Sequence, residues 1–417
     1  MTPTQDARPR AIDRSGPPWP YLSAGVAPIE GRLVPESDFR VEEVPAYEAS
    51  GEGTHVHFSI EKTGMTTREA VRVVAHKLGI PERSVGFAGQ KDSHAVTVQT
   101  LSVEHVEPER VLAIRTPHLS VLAAKLHGNK LKLGHLRGNR FVCRLRGIDP
   151  ARRPDVDRVL ELLQRRGLPN YFGMQRFGHR GDTWIVGRAL LHDMPHEALH
   201  QIGGAPDGSD SPPAREAREL YDAGRYDAAA RAFPSSMRES ARVARAMARA
   251  RGDARRALRS LDKGFLRFCV SAYQSWLFNR VVAERIEALD VLHDGDLAWR
   301  HAGGAVFRVE DETLEAPRAA SLEISASGPL FGKRMTAPTG FAADMEDRIL
   351  AEAQETGARF EQVSPWRPSG GRRPLRVPLR ELELRDAEDE LGGHLELRFR
   401  LPPGAYATGV LREILKP

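Results

Sequence analysis

The chain has 417 residues, enough for roughly two to three domains, and its 41% hydrophobic content supports packed cores and argues against wholesale disorder. Lys and Arg number 61 against 56 Asp and Glu, a net charge of +5 with a pI near 9.3; so small an excess favours nothing beyond a soluble protein unless the charge is concentrated somewhere. The two cysteines, Cys143 and Cys269, stand far apart among apolar neighbours, so they provide neither a disulfide framework nor a metal spacing and are expected as small buried side chains in a reducing compartment.

Residues 1–20 are rich in proline and arginine and lack an apolar run, so they are expected to form a flexible lead-in rather than a secretory signal. No other stretch is apolar enough to cross a bilayer, and a cytoplasmic location with no membrane partner is the expectation. "DFRVEEVPAYEASGEGTHVHFSIEKTG" alternates apolar and polar residues about a Gly-Glu-Gly turn and reads as strand, turn, strand. "TTREAVRVVAHKLGI" is a helix with marked ends. Thr66 and Glu69 have capping-box spacing, Val71, Val74, Ala75 and Leu78 share a face, and Gly79 stands where a C-terminal cap belongs.

"VGFAGQKDSHAVTVQ" then gives two strand segments joined by a tight Gly-Gln-Lys-Asp-Ser-His turn with Asp92 at its tip. A hairpin that only had to reverse would prefer Asn-Gly or Asp-Gly. Residues 125–147 carry seven Lys and Arg and no acid. An amphipathic helix, "DVDRVLELLQRRG", leads to the aromatic-rich "LPNYFGMQRFGHRGDTW". From about 183 to 363 the pattern is mostly helical, with a loop or short disordered insert at 203–215 and one arginine-rich helix over 241–259. The arginines of that helix, at 242, 245, 249, 251, 255, 256 and 259, spread around it, which suits an RNA backbone and plain solvent equally. "FLRFCVSAYQSWLFNRVVAERIEAL" is a long buried helix with apolar residues at 266, 270, 273 and 277, "PWRPSGGRRP" marks a second boundary, and the chain ends in strand, turn and helix. Strand-rich segments thus flank a helix-rich middle, which predicts one α+β domain interrupted by a large insertion, with no internal repeat.

Three places can carry chemistry. If 139–146 is a strand, Asn139, Phe141, Cys143 and Leu145 share one face and Arg140, Val142, Arg144 and Arg146 the other. Phe141 then offers a stacking surface and Asn139 an amide for a base, or Phe141 is core and the arginines are a solvated face. Asp92 beside Lys91 is kept ionised and fixed on its turn, as a base or nucleophile requires, or the two form a surface ion pair of little consequence. Arg176, between two Phe-Gly pairs, can clamp a phosphate or carboxylate, or belong to a packed hinge. His55 and His57 share a strand face without a third ligand at metal spacing, so both are expected to be structural. Neither a G-x-x-x-x-G-K-[ST] loop nor G-x-G-x-x-G occurs, and nucleotide cofactors find no support.

Taken in order, "DFRVEE", "GEGTH", "EKTGMTTREA", "GFAGQKDSHAVTVQ", "LKLGHLRGNRF", "PNYFGMQRFG", "SAYQSWLFNRVVAER" and "LPPGAYATGVLREIL" resemble the motifs of the TruD family of RNA pseudouridine synthases, over residues 30–200 and 262–415. The resemblance implies a catalytic domain built on a mixed, mainly antiparallel sheet, with residues 1–20 as lead-in, 21–167 and 374–417 as its two parts, and 168–373 as a helix-rich insertion domain. It implies isomerisation of uridine to pseudouridine in RNA, in bacteria at uridine 13 of tRNA, with no cofactor and no metal. Asp92 falls on the family's essential aspartate, Phe141 on the phenylalanine that stacks on the uracil, and Asn139 on the asparagine beside that base. Lys91 and Gln90 accompany Asp92, and Gln175, Arg176 and Phe177 the signature segment, as expected substrate contacts. The family's lysine before its Pro-Glu-Asp-Phe segment has only Arg32 near it here, and 203–260 has no counterpart in shorter members. The partner is then tRNA, and the chain is expected as a monomer. Two rivals from other classes are a non-catalytic RNA-binding or RNA-chaperone protein on the same fold, which needs no Asp92, and a glycosidase releasing free uracil, for which two carboxylates are usual.

Overall fold

The computed structural model describes residues 19–34, 36–91, 95–353, 360, 366 and 368–416; Asp92, Ser93 and His94 lie outside the described residues, as do residues 1–18 of the expected lead-in. The chain folds as two compact units, one of residues 22–170 and 376–417 and the other of 1–21 and 171–375.

The first unit is organised by a nine-stranded sheet. Its strands are β1 (Glu36–Pro45), β2 (His55–Thr63), β3 (Gly86–Phe87), β4 (Ala95–Glu104), β5 (Arg115–Thr116), β6 (Leu119–His127), β7 (Leu136–Arg146), β8 (Arg380–Asp389) and β9 (Gly392–Leu401). Their order is β8-β9-β7-β1-β4-β2-β6-β5, with β3 beside β4. Only β1 and β4 run parallel; the other pairs are antiparallel, as the α+β reading of the sequence expects. Strands from both ends of this unit's sequence pair side by side, β7 with β9, so the C-terminal segment completes the sheet begun by the N-terminal one.

Helix α1 (Thr67–Leu78) forms as its capping signals dictate. The Thr66 side chain accepts from the Glu69 N–H and Glu69 accepts from the Thr66 N–H at 2.7 Å, while Gly79 takes the left-handed conformation at φ 70° that ends the helix. Its apolar face of Ala70, Val71, Val74, Ala75 and Leu78 packs on Val56, Phe58, Ile60, Leu101 and Val103 of the sheet. Full burial of a side chain of this size contributes about 1.5–3 kcal/mol, so this face is a principal source of the unit's stability. Helix α2 (Arg153–Arg166) buries Val156, Val159, Leu160 and Leu163, and Arg153 of its first turn pairs with Asp386 of β8 at 2.8 Å. In α3 (Ala407–Leu415) the buried Glu413 accepts from the Ser23 N–H at 2.9 Å and the Ser23 hydroxyl at 2.7 Å, fastening the start of the unit to its end.

The second unit is helix-rich, and it also holds a four-stranded sheet of Leu297–Arg300, Val306–Arg308, Ile324–Leu330 and Gly371–Pro374, the first three of which fall within the stretch 183–363 read as mostly helical. Three of these strands are only three or four residues long, too short for alternation to register. The helix Lys263–Glu284 is the unit's centre, with Leu266, Val270, Tyr273 and Leu277 buried as its spacing predicts. The helix Thr183–Leu191 lies against it so closely that a Cβ on Gly187 would stand 2.0 Å from the Cys269 carbonyl oxygen. Of the loop expected over 203–215 only 204–211 is loop, since Gly203 ends the helix Pro195–Gly203 and 212–215 open the helix Pro212–Asp222, and it is anchored: Asp210 pairs with Arg218 at 3.1 Å and Asp207 with Arg180 at 2.9 Å. Cys143 and Cys269 are both buried free thiols, as expected.

The basic strand departs from the reading of its arginines as a solvated face chiefly at Arg146. Arg146 is 4% exposed and lies between Asp38, whose oxygens accept at 2.7 and 2.8 Å, and Asp389, at 2.6 and 2.9 Å. Arg144 pairs with Asp389 at 3.1 Å and Arg140 with Glu381 at 2.9 Å. The acids come from β1 and β8, so the three arginines of 140–146 look unpaired only along the sequence. Burial pushes Asp38 up, but hydrogen bonds from Arg146 and the Val34 N–H outweigh it and leave the carboxyl below its ordinary value. Asp389 is held well below the carboxylate range by Arg146.

Because both folded-state values are lowered, this stabilisation is complete above the unfolded carboxylate value near pH 4 and is lost as pH falls through the folded values. Arg146→Met, which leaves Asp38 buried without its partner, is expected to lower unfolding free energy by about 3–5 kcal/mol at pH 7. Urea titrations at several pH values should find the gap from the native chain narrowing below about pH 4; a gap constant down to pH 3 contradicts this account.

Candidate active site

Alternation along four adjacent strands sets one polar surface into the sheet. On β1, Val41 and Glu43 share a face; register places Val41 beside Phe141 and Glu43 beside Asn139 on β7. Phe399 and Leu401 of β9 stand next to the same two residues on the other side. On β4, Thr97 is the partner of Val41, and Thr97 and Gln99 are fully buried. The face is polar at its Glu43, Asn139 and Gln99 end and aromatic beyond it.

Into the polar end comes Lys91, the residue immediately before Asp92. Its N–H donates to the Thr67 hydroxyl at 2.8 Å, and that hydroxyl donates to Gln99 Oε1 at 2.9 Å. Its Nζ donates to Asn139 Oδ1 at 2.7 Å and lies 2.8 Å from Glu43 Oε2. Glu43 in turn accepts from the Thr100 N–H at 3.2 Å through Oε1. The Lys91 and Glu43 side chains are 5% and 1% exposed, so this is a buried charge pair with hydrogen bonds to both partners, the arrangement in which an ion pair is rigid rather than fleeting. Gly89 leaves room for it: a Cβ there would stand 3.3 Å from the Lys91 Nζ. Main chain and side chain are therefore both fixed at position 91. Gln90 is exposed. Gln99 Nε2 and Thr97 Oγ1, both buried, have no hydrogen-bond partner among the described residues.

Phe141 is 5% exposed, and its ring lies 5.3 Å from Phe399, nearly parallel, and 6.0 Å from Phe39. It is thus braced on two sides by aromatic rings. Lys91 and Asn139 are brought into contact, and Phe141 shares their face. The other expected residues belong to the helix-rich unit. There the Asn279 side chain bonds both the N–H and the carbonyl of Phe172, at 2.8 and 3.0 Å, and so fixes the "NYFG" segment on the helix Lys263–Glu284. Arg176 donates to Ser275 and Ser271 of that helix at 3.1 and 3.0 Å and lies over the rings of Phe268 and Phe172. Phe177 is buried and Gln175 exposed.

Arg32 lies away from this face. It pairs main chain to main chain with Arg146, seven residues along β7 from Asn139, or about 23 Å at the usual strand rise. A different lysine is present: Lys62, 1% exposed, is the β2 neighbour of Thr97 on this same face. Sequence reasoning missed Lys62, Glu43, Thr67 and Gln99, although the two-residue period of β1, β2 and β4 was enough to put three of them on the α1 side. His57 bonds the Asn129 carbonyl at 2.8 Å through Nε2, the structural role expected of it. Among the described residues no group of three His, Cys, Asp or Glu could hold a metal ion.

Thr67→Val keeps the shape of α1's first turn but leaves the Lys91 N–H without its acceptor and Gln99 Oε1 without its donor. The expected loss is about 1–3 kcal/mol of unfolding free energy, with faster amide exchange at Lys91 than at Val74 of the same helix region. Unchanged stability and exchange would mean that the hydroxyl does not hold the turn.

The chain matches the model of the family "tRNA pseudouridine synthase D (TruD)" over residues 20–414. A relative named tRNA pseudouridine synthase D from Geobacter metallireducens is 43% identical over 398 residues, covering 95% of this chain and 97% of that one. One of the same name from Thermus thermophilus is 35% identical over 407 residues, covering 95% and 92%. A crystal structure from Methanosarcina mazei, named as a candidate tRNA pseudouridine synthase D, is similar in fold with a TM-score of 0.79 at 24% identity, over 95% of this chain and 96% of that one. With its sheet interrupted by a helix-rich insertion and its motifs in order, the chain belongs to the TruD family.

Proposed function

We propose that this protein isomerises uridine to pseudouridine in tRNA, at uridine 13, with the Asp92 carboxylate as the reacting group and no cofactor. The observation that carries this reading is the anchoring of Lys91: a buried lysine held by Glu43, Asn139 and Thr67 fixes the chain one residue before the aspartate. Because Lys91 is engaged by Glu43 and Asn139, its charge is balanced within the fold. Effective catalysis by a lone carboxylate depends on such positioning, since a reacting oxygen displaced by an ångström loses much of its rate.

The isomerisation conserves every atom. The C1′–N1 bond breaks with its electron pair going to the uracil, the ring turns, C5 bonds to C1′, and the C5 proton is replaced by one on N1. Asp92 serves by one of two routes, taking the 2′ proton to give a glycal that is later reprotonated, or bonding to C1′ until C5 displaces it. Either route needs the nucleotide out of its stack, at a cost of a few kcal/mol, and an apolar surface to receive it. Phe141 is assigned that surface. Its ring is braced by Phe399 and Phe39, so the uracil meets the small open part of a rigid aromatic cluster. Asn139, held by Lys91, presents its amide to the base, and Gln90 and Lys62 complete the polar side. In the helix-rich unit Gln175 contacts the RNA, Arg176 lends positive charge from its seat on the helix, and the buried Phe177 supports them.

Asp92→Asn is expected to abolish pseudouridine formation in unmodified tRNA, read by carbodiimide labelling and reverse-transcriptase stops, while tRNA affinity stays within about twofold. Near-normal turnover by that variant would overturn the reading, and free uracil in the native reaction would assign the chain to base hydrolysis instead. Phe141→Leu keeps most of the buried volume but loses the ring; kcat/KM should fall about 10- to 100-fold, the worth of one base–aromatic stack, and an unchanged kcat/KM would return Phe141 to the core.

A further inference from the structure

The charge that the whole-chain total conceals is concentrated in the helix-rich unit. Residues 225–267 hold twelve Arg and Lys against four Asp and Glu, a net of +8, whereas the whole chain carries +5; the rest of the molecule is therefore net negative. The arginine-rich stretch is not one helix with charge all round it. It is two, Arg238–Arg249 and Ala254–Arg259, broken at Arg251 and Gly252, whose φ values of 53° and 84° and the Asp253 N-cap start the second helix afresh. On the first helix Arg238, Arg242, Arg245 and Arg249 recur three and four residues apart and are all exposed, so they line up in one row about 16 Å long. The opposite face, with Ala241, Ala244 and Met247, is buried. Arg251, Arg255, Arg256 and Arg259 continue the exposed charge past the break.

Two of these arginines have acidic partners, Arg242 with Glu239 and Arg255 with Asp193, in exposed pairs that hold little energy. Arg238, Arg245, Arg249, Arg251, Arg256 and Arg259 have none among the described residues. The contrast with the sheet is direct: there Arg140, Arg144 and Arg146 are each neutralised by carboxylates. Within 225–267 no large apolar side chain is exposed among the described residues. A membrane-binding helix needs an apolar face to sink into lipid, and a protein interface needs a buried apolar or aromatic anchor. A surface of guanidinium groups alone matches a regular polyanion, each group able to pair two phosphate oxygens. With no exposed aromatic within 225–267 to stack on a base, and the exposed Phe268 that follows already covered by the Arg176 guanidinium, recognition by this row is of backbone rather than sequence.

We propose that the row Arg238, Arg242, Arg245, Arg249, continued by Arg256 and Arg259, is a docking surface for the phosphate backbone of the substrate tRNA, outside the nucleotide being modified. This rests on the tRNA-isomerase reading and is tested apart from it by equilibrium binding of full-length unmodified tRNA, which needs no turnover. Arg245→Gln with Arg249→Gln, both exposed and outside the catalytic machinery, should weaken tRNA binding on the order of tenfold and reduce the slope of log K against log salt by about 1.5, two phosphate contacts' worth. KM for tRNA should rise in proportion, with kcat at saturation and thermal midpoint unchanged. Unchanged affinity and slope would overturn the proposal, as would loss of affinity for phosphatidylserine vesicles with tRNA binding intact. Absence of pseudouridine formation by the native chain would instead defeat the isomerase reading, whatever the binding result.

Discussion

A buried ammonium holds the sheet-based unit's chemistry together. Lys91 Nζ, between Glu43 and Asn139 and sealed from solvent, joins β1, β7 and the loop before β4 through one charge. Its main-chain N–H, bound by Thr67, joins the same loop to the first turn of α1, whose position is set by an N-terminal capping box. Removing any one partner leaves a charge or a donor buried and unmatched, which is costly, so these groups order together or not at all. The fold thereby fixes the residue before Asp92.

Charge is used in two different ways along the chain. In the sheet, arginines hold elements together: Arg146 ties β7 to β1 and β8, and Arg153 ties α2 to β8. In the helix-rich unit the arginines of 238–259 stand in water with few partners. A composition of nearly balanced charge hides this division, because acids that neutralise the sheet arginines are distant in sequence and adjacent in space. Under the proposed function the first set stabilises the catalytic scaffold and the second meets RNA.

Signals confined to one element were legible in the sequence. The caps and apolar face of α1, the alternation of β7, and the buried spacing of the helix Lys263–Glu284 all follow from local periodicity, and each is as expected. What needed a second strand was not legible. Glu43 reads as a polar residue on a strand until register sets it beside Asn139, and Lys62 joins this face only through its pairing with Thr97 of β4. Arg146 was given to the surface for the same reason, since Asp38 and Asp389 are more than a hundred residues away. The arginine row at 238–249 was in the sequence throughout, but assuming one unbroken helix across Gly252 scattered it around the axis. The short strands at 297–300 and 306–308 fell below any periodic signal. Of the candidate site, the residues supplied by the family resemblance came with their motifs, whereas the network that holds them came only from the fold.

Under the proposed function, anchoring at position 91 delivers the neighbouring carboxylate to the sugar of an unstacked uridine. A crystal structure of the chain bound to an RNA carrying 5-fluorouridine at the target position tests this most directly. The account predicts an Asp92 carboxylate oxygen within about 3.5 Å of C1′ or C2′, or bonded to C1′, with the Lys91 contacts to Glu43 and Asn139 intact. A bound nucleotide with its ribose far from Asp92, or Lys91 swung out of its pocket to reach the RNA, would contradict it.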